Sequence, residues 1–509
     1  MSGAADPRLP RSPAGPYNPW MVAGMIALAP FMEVLDTTIA NVALNHIGGS
    51  LAISQDESTW VLTSYLVANS IVLPISGWLA QVIGRKRYYQ ICVVLFTVSS
   101  VLCAASTSLT MMVIARCLQG LGGAGLAPTT QAMLADTFPP EKRAQGFALF
   151  GVTVITAPAT GPILGGWLTD HLSWHWIFLI NLPIGLIAFT LTAIFVSEPA
   201  IMIAERRDLL AKGLRLDYLG IALAAIGFGT LQIFLDKFQE DDGFSSPFIV
   251  STFCVVVVSL SLLVVWEWTH PNPVLNLRLF KSRNFAISNA LMFVVGFILI
   301  SSTQLLPQLA QSLLGYNAET SGLCMAFGGM ATLVMMPIAG LSSGRISRPK
   351  WLLIGALTWL GLATMMLQGS IAPDVSFDRL SLYRGLQVCA LPFLFVPITA
   401  AAYVGVPPRN FGEAAALINQ NRNIGGSVGI SIVSTLLAWR TQFHHARLAE
   451  AITPYGSLHG MTVAQIAPIL QNQAVFMSYL DMFRFVGLLA LIVVPAVLFL
   501  NPPPPKPAA

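Results

Sequence analysis

The chain has 509 residues and a formal net charge of +4, with 55% hydrophobic and only 10% charged residues. Soluble globular chains are about 25% charged, so lipid must solvate much of this surface, and a soluble enzyme is excluded. No basic tail or basic–aromatic patch is present to neutralise a phosphate backbone, which argues against nucleic acid as a partner.

Residues 1–19 are polar, Pro-rich and weakly basic. The apolar run that follows leads into further spans without an A-x-A cleavage site, so it reads as a retained first helix. Apolar stretches of the ~17–25 residues that a spanning helix needs then occur at 20–40, 59–80, 88–106, 111–134, 144–168, 176–196, 216–235, 248–268, 285–310, 320–341, 351–369, 382–403, 411–438 and 475–500. The pattern predicts an all-α polytopic membrane protein of fourteen spans, with the least internal signal in 216–235 and 248–268. The six cysteines, Cys92, Cys103, Cys117, Cys254, Cys324 and Cys389, all fall in apolar stretches and form no CxxC pair. They read as small buried hydrophobes. The end Asn501-Pro-Pro-Pro-Pro-Lys506 cannot continue a helix.

Charge placement tests the span count. With a cytoplasmic N-terminus, alternate connections should be rich in Lys and Arg. The tails and even-numbered connections hold nineteen, among them Arg85, Lys86, Arg87, Lys142, Arg143, Arg206, Arg207, Lys212, Arg215, Arg345, Arg348 and Arg409, whereas the odd-numbered ones hold Lys237, Arg379, Arg440 and Arg447. The bias predicts fourteen spans with both ends inside. Removing an adjacent pair of spans would keep the later alternation, so twelve stays open on charge alone. The one long external connection, 439–474, is polar and includes His444, His445 and His459. It reads as a hydrated loop where a soluble partner would find purchase.

A charge at bilayer depth costs at least ~2.5–3.5 kcal/mol on insertion scales and normally faces a cavity or a partner. Candidates are Glu33, Asp36, Arg116, Arg384, Glu413, Arg422, Asp481 and Arg484. Glu33 and Asp36 share one helical face by their i,i+3 spacing, with Asn41 further along. Two such acids suit a reversible proton carrier for which proton and cargo compete; the alternative is a static ion pair such as Asp36–Arg116 holding two helices together. Arg384 and Arg484 lie near predicted helix ends and read as snorkelling. Arg422 and Glu413 would do the same if their span starts late. Glycine and proline number 41 and 33, which suits kinked, closely approaching helices. No phosphate loop, HExxH, CxxC pair or G-x-S-x-G is present, so ATP hydrolysis and membrane-embedded hydrolysis have no visible constellation. No filter-like repeat supports a channel.

Several motifs in order then carry a resemblance. They are Leu35-Asp36-Thr-Thr-Ile-Ala-Asn41 in the first span, Gly77 to Gly84-Arg85-Lys86-Arg87 after the second, and Arg116-x-x-Gln119-Gly120 in the fourth. Gly161-Pro162-x-x-Gly165-Gly166 follows in the fifth, then Trp174-His175-Trp176, Leu306-Pro307-Gln308, Gly340-x-x-x-Gly344-Arg345 and Arg422-Asn423-x-Gly425-Gly426. Together they resemble the major facilitator superfamily, in its fourteen-span drug:proton antiporter branch of EmrB-type exporters, over nearly all of 20–500.

The resemblance implies a cytoplasmic tail (1–19), two six-helix bundles (20–196 and 285–500, the second with periplasmic loop 439–474), two extra helices between them (216–268) and a second cytoplasmic tail (501–509). It implies proton-coupled export of hydrophobic or amphipathic toxic compounds across the cell inner membrane, with the proton as coupling ion and no cofactor. The partners implied are an EmrA-like membrane-fusion adaptor and an outer-membrane channel. Proton coupling and cargo binding would fall to Glu33, Asp36, Asn41, Arg116, Gln119, Glu413 and Arg422. The conformational switch would fall to Gly77, Gly84, Arg85, Arg87, Gly161, Pro162, Gly165 and Gly166, with Gln81 at the usual acidic position. Export of one dedicated metabolite, such as a fatty acid, antibiotic or siderophore, is the other transport reading; a non-transporting scaffold or sensor would leave the embedded charges without a reason.

Overall fold

The computed structural model describes residues 14–211, 217–241, 243–345, 349–372, 375–450, 452 and 462–500, and these contain helices and no strand. In chain order the spans are Pro19–Val42, the bent pair Trp60–Val72 and Ser76–Ile83, Arg85–Ala104, Leu109–Thr137, Arg143–His171, Trp176–Phe195, Tyr218–Lys237, Pro247–Thr269, Arg283–Ser312, Ala318–Arg345, Pro349–Ser370, Phe377–Ala402, Phe411–Glu450 and Val463–Val497. They are numbered 1 to 14 below. Eleven are long and apolar enough to cross a membrane as single helices, and spans 2 and 5 qualify as bent ones. Span 13 is the polar exception. Its Asn419-Gln-Asn-Arg422-Asn segment faces protein, where burial and hydrogen bonds replace lipid.

Local chemistry sets the helix ends and bends. Span 1 starts where the Asn18 side chain accepts from the Trp20 amide at 2.9 Å, with Pro19 in the first turn. Span 7 starts likewise at Asp217, which accepts from the Gly220 amide at 2.8 Å. Span 2 bends by 59° across Leu73-Pro74-Ile75, and span 5 bends by 43° after Pro158. Both bends fall where proline removes a helical hydrogen bond.

The two halves repeat one pattern. Span 1 packs on spans 5 and 6, span 2 on span 4, and span 3 on span 6; span 9 packs on spans 13 and 14, span 10 on span 12, and span 11 on span 14. Spans 7 and 8 form a hairpin whose first helix lies against spans 2 and 13. Gln232 of span 7 accepts from Ser70 of span 2 at 3.4 Å and from Ser427 of span 13 at 3.1 Å. This helix therefore covers a seam between the halves. Span 8 turns Val257, Val258, Leu262, Val264 and Val265 outward, as a lipid-facing helix should.

One expectation needs correction. The 439–474 connection is largely helical, because span 13 continues through Glu450 and span 14 begins at Val463. Its polar residues are helix formers, and they extend both spans as paired helices instead of a loose loop. Arg440 and His444 of span 13 both reach Asp481 of span 14, at 2.6 and 2.7 Å. His459, the tails at 1–13 and 501–509, Lys212, Arg215 and Arg348 lie outside the described residues.

Candidate functional site

Span 1 brings Asp36 into the interior of the first half, where the carboxylate accepts three hydrogen bonds. Arg116 Nη1 donates to Oδ2 at 2.6 Å, and Gln119 Nε2 and Asn181 Nδ2 donate to Oδ1 at 2.9 and 2.6 Å. Arg116 also donates to Gln119 Oε1 at 2.6 Å and to the Val61 carbonyl at 2.9 Å, beneath the Tyr65 ring at 4.7 Å. Both members of the pair are wholly buried. Spans 1, 4 and 6 are thereby tied, and Asn181 extends the network to Ser100 of span 3 at 2.9 Å. The arrangement is an ion pair within one half. It does not turn Asp36 toward the opposite half.

Glu33, one turn away, is placed differently. Its Oε1 accepts long hydrogen bonds from Asn69 Nδ2 at 3.3 Å and Tyr65 Oη at 3.4 Å, while Oε2 is buried with no partner. Arg422 is 8% exposed and does not snorkel; its Nη2 donates to Asn423 Oδ1 at 3.2 Å and its Nη1 is buried without a partner. Glu33 of the first half and Arg422 of the second thus each keep a buried polar atom without a partner.

Arg384 contradicts the snorkelling expectation. Span 12 begins at Phe377, so the guanidinium lies well inside the helix and is only 4% exposed. Its Nη1 donates to Gln387 Oε1 at 2.9 Å and Ser302 Oγ at 3.3 Å, and its Nη2 to Thr303 Oγ1 at 3.1 Å. A signal for it existed in the sequence: Arg384-x-x-Gln387 repeats Arg116-x-x-Gln119 in the matching helix of the second half. Arg484, by contrast, is exposed.

The end of the molecule that carries residues 84–87 is closed. Gly77 of span 2 touches span 13 so closely that a Cβ would lie 2.5 Å from the Glu413 amide nitrogen and the Gly412 carbonyl carbon. Gly340 makes the mirrored approach, its Cβ position 2.8 Å from Ala148 of span 5. Gly84 holds a φ of +98°, a left-handed turn that glycine adopts without strain, and the next residue's amide donates to Glu198 at 2.8 Å. Arg85 pairs with Asp136 and donates to the Pro408 carbonyl at 2.9 Å.

Glu413 belongs here and not beside Glu33. It accepts from Gln81 Nε2 at 3.0 Å and from Asn276 Nδ2 at 2.9 Å, and Gln81 also donates to the Arg409 carbonyl at 2.9 Å. The acid that span 2 lacks at Gln81 is thus supplied across the interface by Glu413. Asn419 donates to Gln131 at 2.9 Å, and stacked Phe147–Tyr403 and Phe150–Phe395 pairs fill the space behind.

The remaining sequence candidates divide. Gly161 and Gly165 press against span 1, where Cβ atoms would meet Thr38 Oγ1 and, at 3.1 Å, Ile39, while Pro162 faces Gly322 of span 10. Gly166 has open space around it. Arg87 and Asn41 are exposed, the latter at the far end of span 1 and away from the Asp36 network.

The Major Facilitator Superfamily profile matches residues 26–430. The chain is 36% identical to the "Probable multidrug resistance protein EmrY" of Escherichia coli (strain K12), with 95% of this chain and 96% of that one covered. It is 35% identical to the multidrug export protein EmrB of the same strain, with 94% of each covered. It is 33% identical to the fatty acid resistance protein FarB of Neisseria gonorrhoeae, with 94% and 95% covered. Among solved structures, the proton:xylose symporter XylE superposes with a TM-score of 0.59 at 15% identity, covering 93% of this chain and 94% of that one. That likeness concerns the fold. Its helices, its motifs and these relatives make the chain an integral membrane protein of the Major Facilitator Superfamily, in the branch of the EmrB and EmrY multidrug exporters.

Proposed function

We propose that this chain exports hydrophobic or amphipathic toxic compounds in exchange for protons, by alternating access to one cavity between its halves. The observation that carries the reading is the burial of Glu33 in one half and Arg422 in the other, each with a polar atom that has no partner. Glu33 can satisfy Oε2 in two ways: with a proton, or with a cationic group of the cargo. The two compete for one carboxylate, and the competition is what exchange requires. Asp36 has no such freedom while Arg116, Gln119 and Asn181 hold it, so we assign it to positioning spans 1, 4 and 6. The acid named first by the family motif is then the lock, and its neighbour Glu33 the carrier.

The positive-inside bias supports an inner-membrane orientation with both chain ends cytoplasmic. The closed 84–87 end is then the cytoplasmic one, an arrangement suited to releasing cargo outward. The paired extensions of spans 13 and 14, clamped by Arg440, His444 and Asp481, offer a soluble adaptor a stiff surface, and an EmrA-like adaptor leading to an outer-membrane channel fits that reading. No cofactor is invoked; the proton is the coupling ion.

Purified protein in vesicles with an imposed pH gradient tests the proposal. Cargo-dependent proton flux should be seen for several unrelated amphipathic compounds and should fall at least tenfold in Glu33→Gln. Flux independent of cargo, or undiminished coupling in the variant, would contradict it. Similarity to FarB favours a second reading, export of a single dedicated metabolite, for which only one of the compounds would drive flux.

A further inference from the structure

Spans 7 and 8 meet at the 84–87 end in a pair of buried acids that exchange at Glu33 does not use. Asp217 opens span 7 and Glu267 lies in the last turn of span 8; they are 3% and 0% exposed. A Cβ on Gly220 would lie 2.5 Å from both Asp217 Oδ2 and Glu267 Oε1, so the two oxygens are within twice that distance of each other. Asp217 is well supplied. The Gly220 amide and Trp266 Nε1 donate to it at 2.8 and 2.9 Å, and His270 Nδ1 stands 3.4 Å from Oδ2. Glu267 is not. Its Oε2 accepts from the Leu275 amide at 3.2 Å, while Oε1, on the side of Asp217, is buried with no partner. Among the described residues no lysine or arginine forms an ion pair with either acid; Arg278 is turned to the His270 carbonyl at 2.8 Å.

Two carboxylates this close, out of water and without a cation, cannot both stay ionised. A proton on Glu267 Oε1, donated toward Asp217 Oδ2, satisfies both groups at once. His270 stacks on Trp266, and its side chain is 24% exposed, so it connects the pair to solvent. The pair is also tied to the closure between the halves. Glu267 holds the Leu275 amide, and the next residue, Asn276, donates to Glu413 at 2.9 Å, which in turn accepts from Gln81 of span 2. Val274 and Leu275 are buried, so this strap moves with the acid that holds it.

We infer that Asp217 and Glu267 hold one proton between them, and that this proton keeps the 84–87 end closed through the 274–276 strap. When it leaves Glu267 Oε1 for water by way of His270, two like charges remain. Spans 7 and 8 then part at this end, and Asn276 is drawn away from Glu413. Acidification reverses the step. In the orientation proposed above the pair faces the cytoplasm, where its ligand is the proton that exchange brings in, and accumulation of that proton closes the exchanger. Only this last consequence rests on the export reading.

The test uses the full-length protein in lipid nanodiscs, with a cysteine introduced at Ala148, which is buried at the closed end. Maleimide labelling is read at that residue by mass spectrometry. It is expressed relative to Glu267→Gln at the same pH, which cancels the thiol's own titration. Glutamine keeps an acceptor for Leu275 and never ionises, so the ratio should be near one at about pH 6 and about tenfold at about pH 8. A ratio that does not change with pH would overturn the inference. Infrared spectra read the proton itself. At about pH 6, Glu33→Gln should keep a protonated-carboxyl band that is lost when Glu267→Gln is added; identical spectra would also overturn it. Should Glu267→Gln not fold, Asp217→Asn, which keeps the N-cap acceptor and removes the like charge, becomes the labelling reference and the ratio still decides. Neither measurement uses cargo or flux, so failure of exchange at Glu33 leaves the pair standing, and failure of the pair leaves cargo-driven proton release intact.

Discussion

The two halves of the molecule hold the same side chains in the same helical setting and use them differently. Arg116 and Gln119 close on Asp36 in a network that leaves the carboxylate no free oxygen. Arg384 and Gln387 close on two hydroxyls and leave the guanidinium without an acid. Repetition of the arginine supplies a cation to each half; the facing helix meets the first with a carboxylate and the second with hydroxyls alone. The hydrogen bond from Gln81 to Glu413 that joins the halves lies outside both devices.

The sharpest consequence concerns stability. Arg116→Ala leaves Asp36 buried beside polar groups with no counter-charge, a defect worth ~3–5 kcal/mol. It should lower the melting temperature of the purified protein, or its membrane yield, far more than Arg384→Ala does. Equal losses would mean that the two arginines are structural equivalents.

Next comes the close approach between halves. Gly77→Val puts a branched side chain where a single Cβ already lies 2.5 Å from span 13. The 84–87 end should then stay open, seen as faster thiol labelling of a cysteine introduced at Ala148, which is buried opposite Gly340 at that end, with export reduced about tenfold or more. Labelling at the wild-type rate would show that this contact is not the closure. Glu413→Gln is milder: the hydrogen bonds from Gln81 and Asn276 lose their charge assistance, ~1–2 kcal/mol in all, and the same labelling should rise several-fold. Smallest of all is Gly166→Ala, which meets no atom within 4 Å. Its stability should stay within ~0.5 kcal/mol of wild type, and a large loss there would argue that span 5 needs glycine for motion instead of for contact.

Much of this was legible before any coordinates. Length of apolar runs and alternation of Lys and Arg located the spans, because the bilayer imposes both constraints on every helix. The Asp36–Arg116 pair was legible as one of two alternatives, since opposite charges embedded in apolar helices have few options. What remained hidden depended on partners remote in sequence. Glu413 looked like a cavity acid because nothing in its own helix reveals that Gln81 and Asn276 meet it. Arg384 looked like a snorkelling end because its helix starts earlier than the apolar run, among polar residues such as Asp378 and Arg379 that hydropathy does not count. The helical extensions beyond Trp439 were read as a loop for a related reason: polarity shows that a segment leaves the membrane, and says little about whether the helix ends there.

The most direct measurement is proton release on adding a cationic cargo to the purified, weakly buffered protein, followed with a pH-indicating dye. Wild type should release protons in proportion to the sites filled, and Glu33→Gln should release almost none while keeping the wild-type melting temperature. Full proton release from a folded Glu33→Gln would contradict the exchange proposed for Glu33 and return that role to another acid.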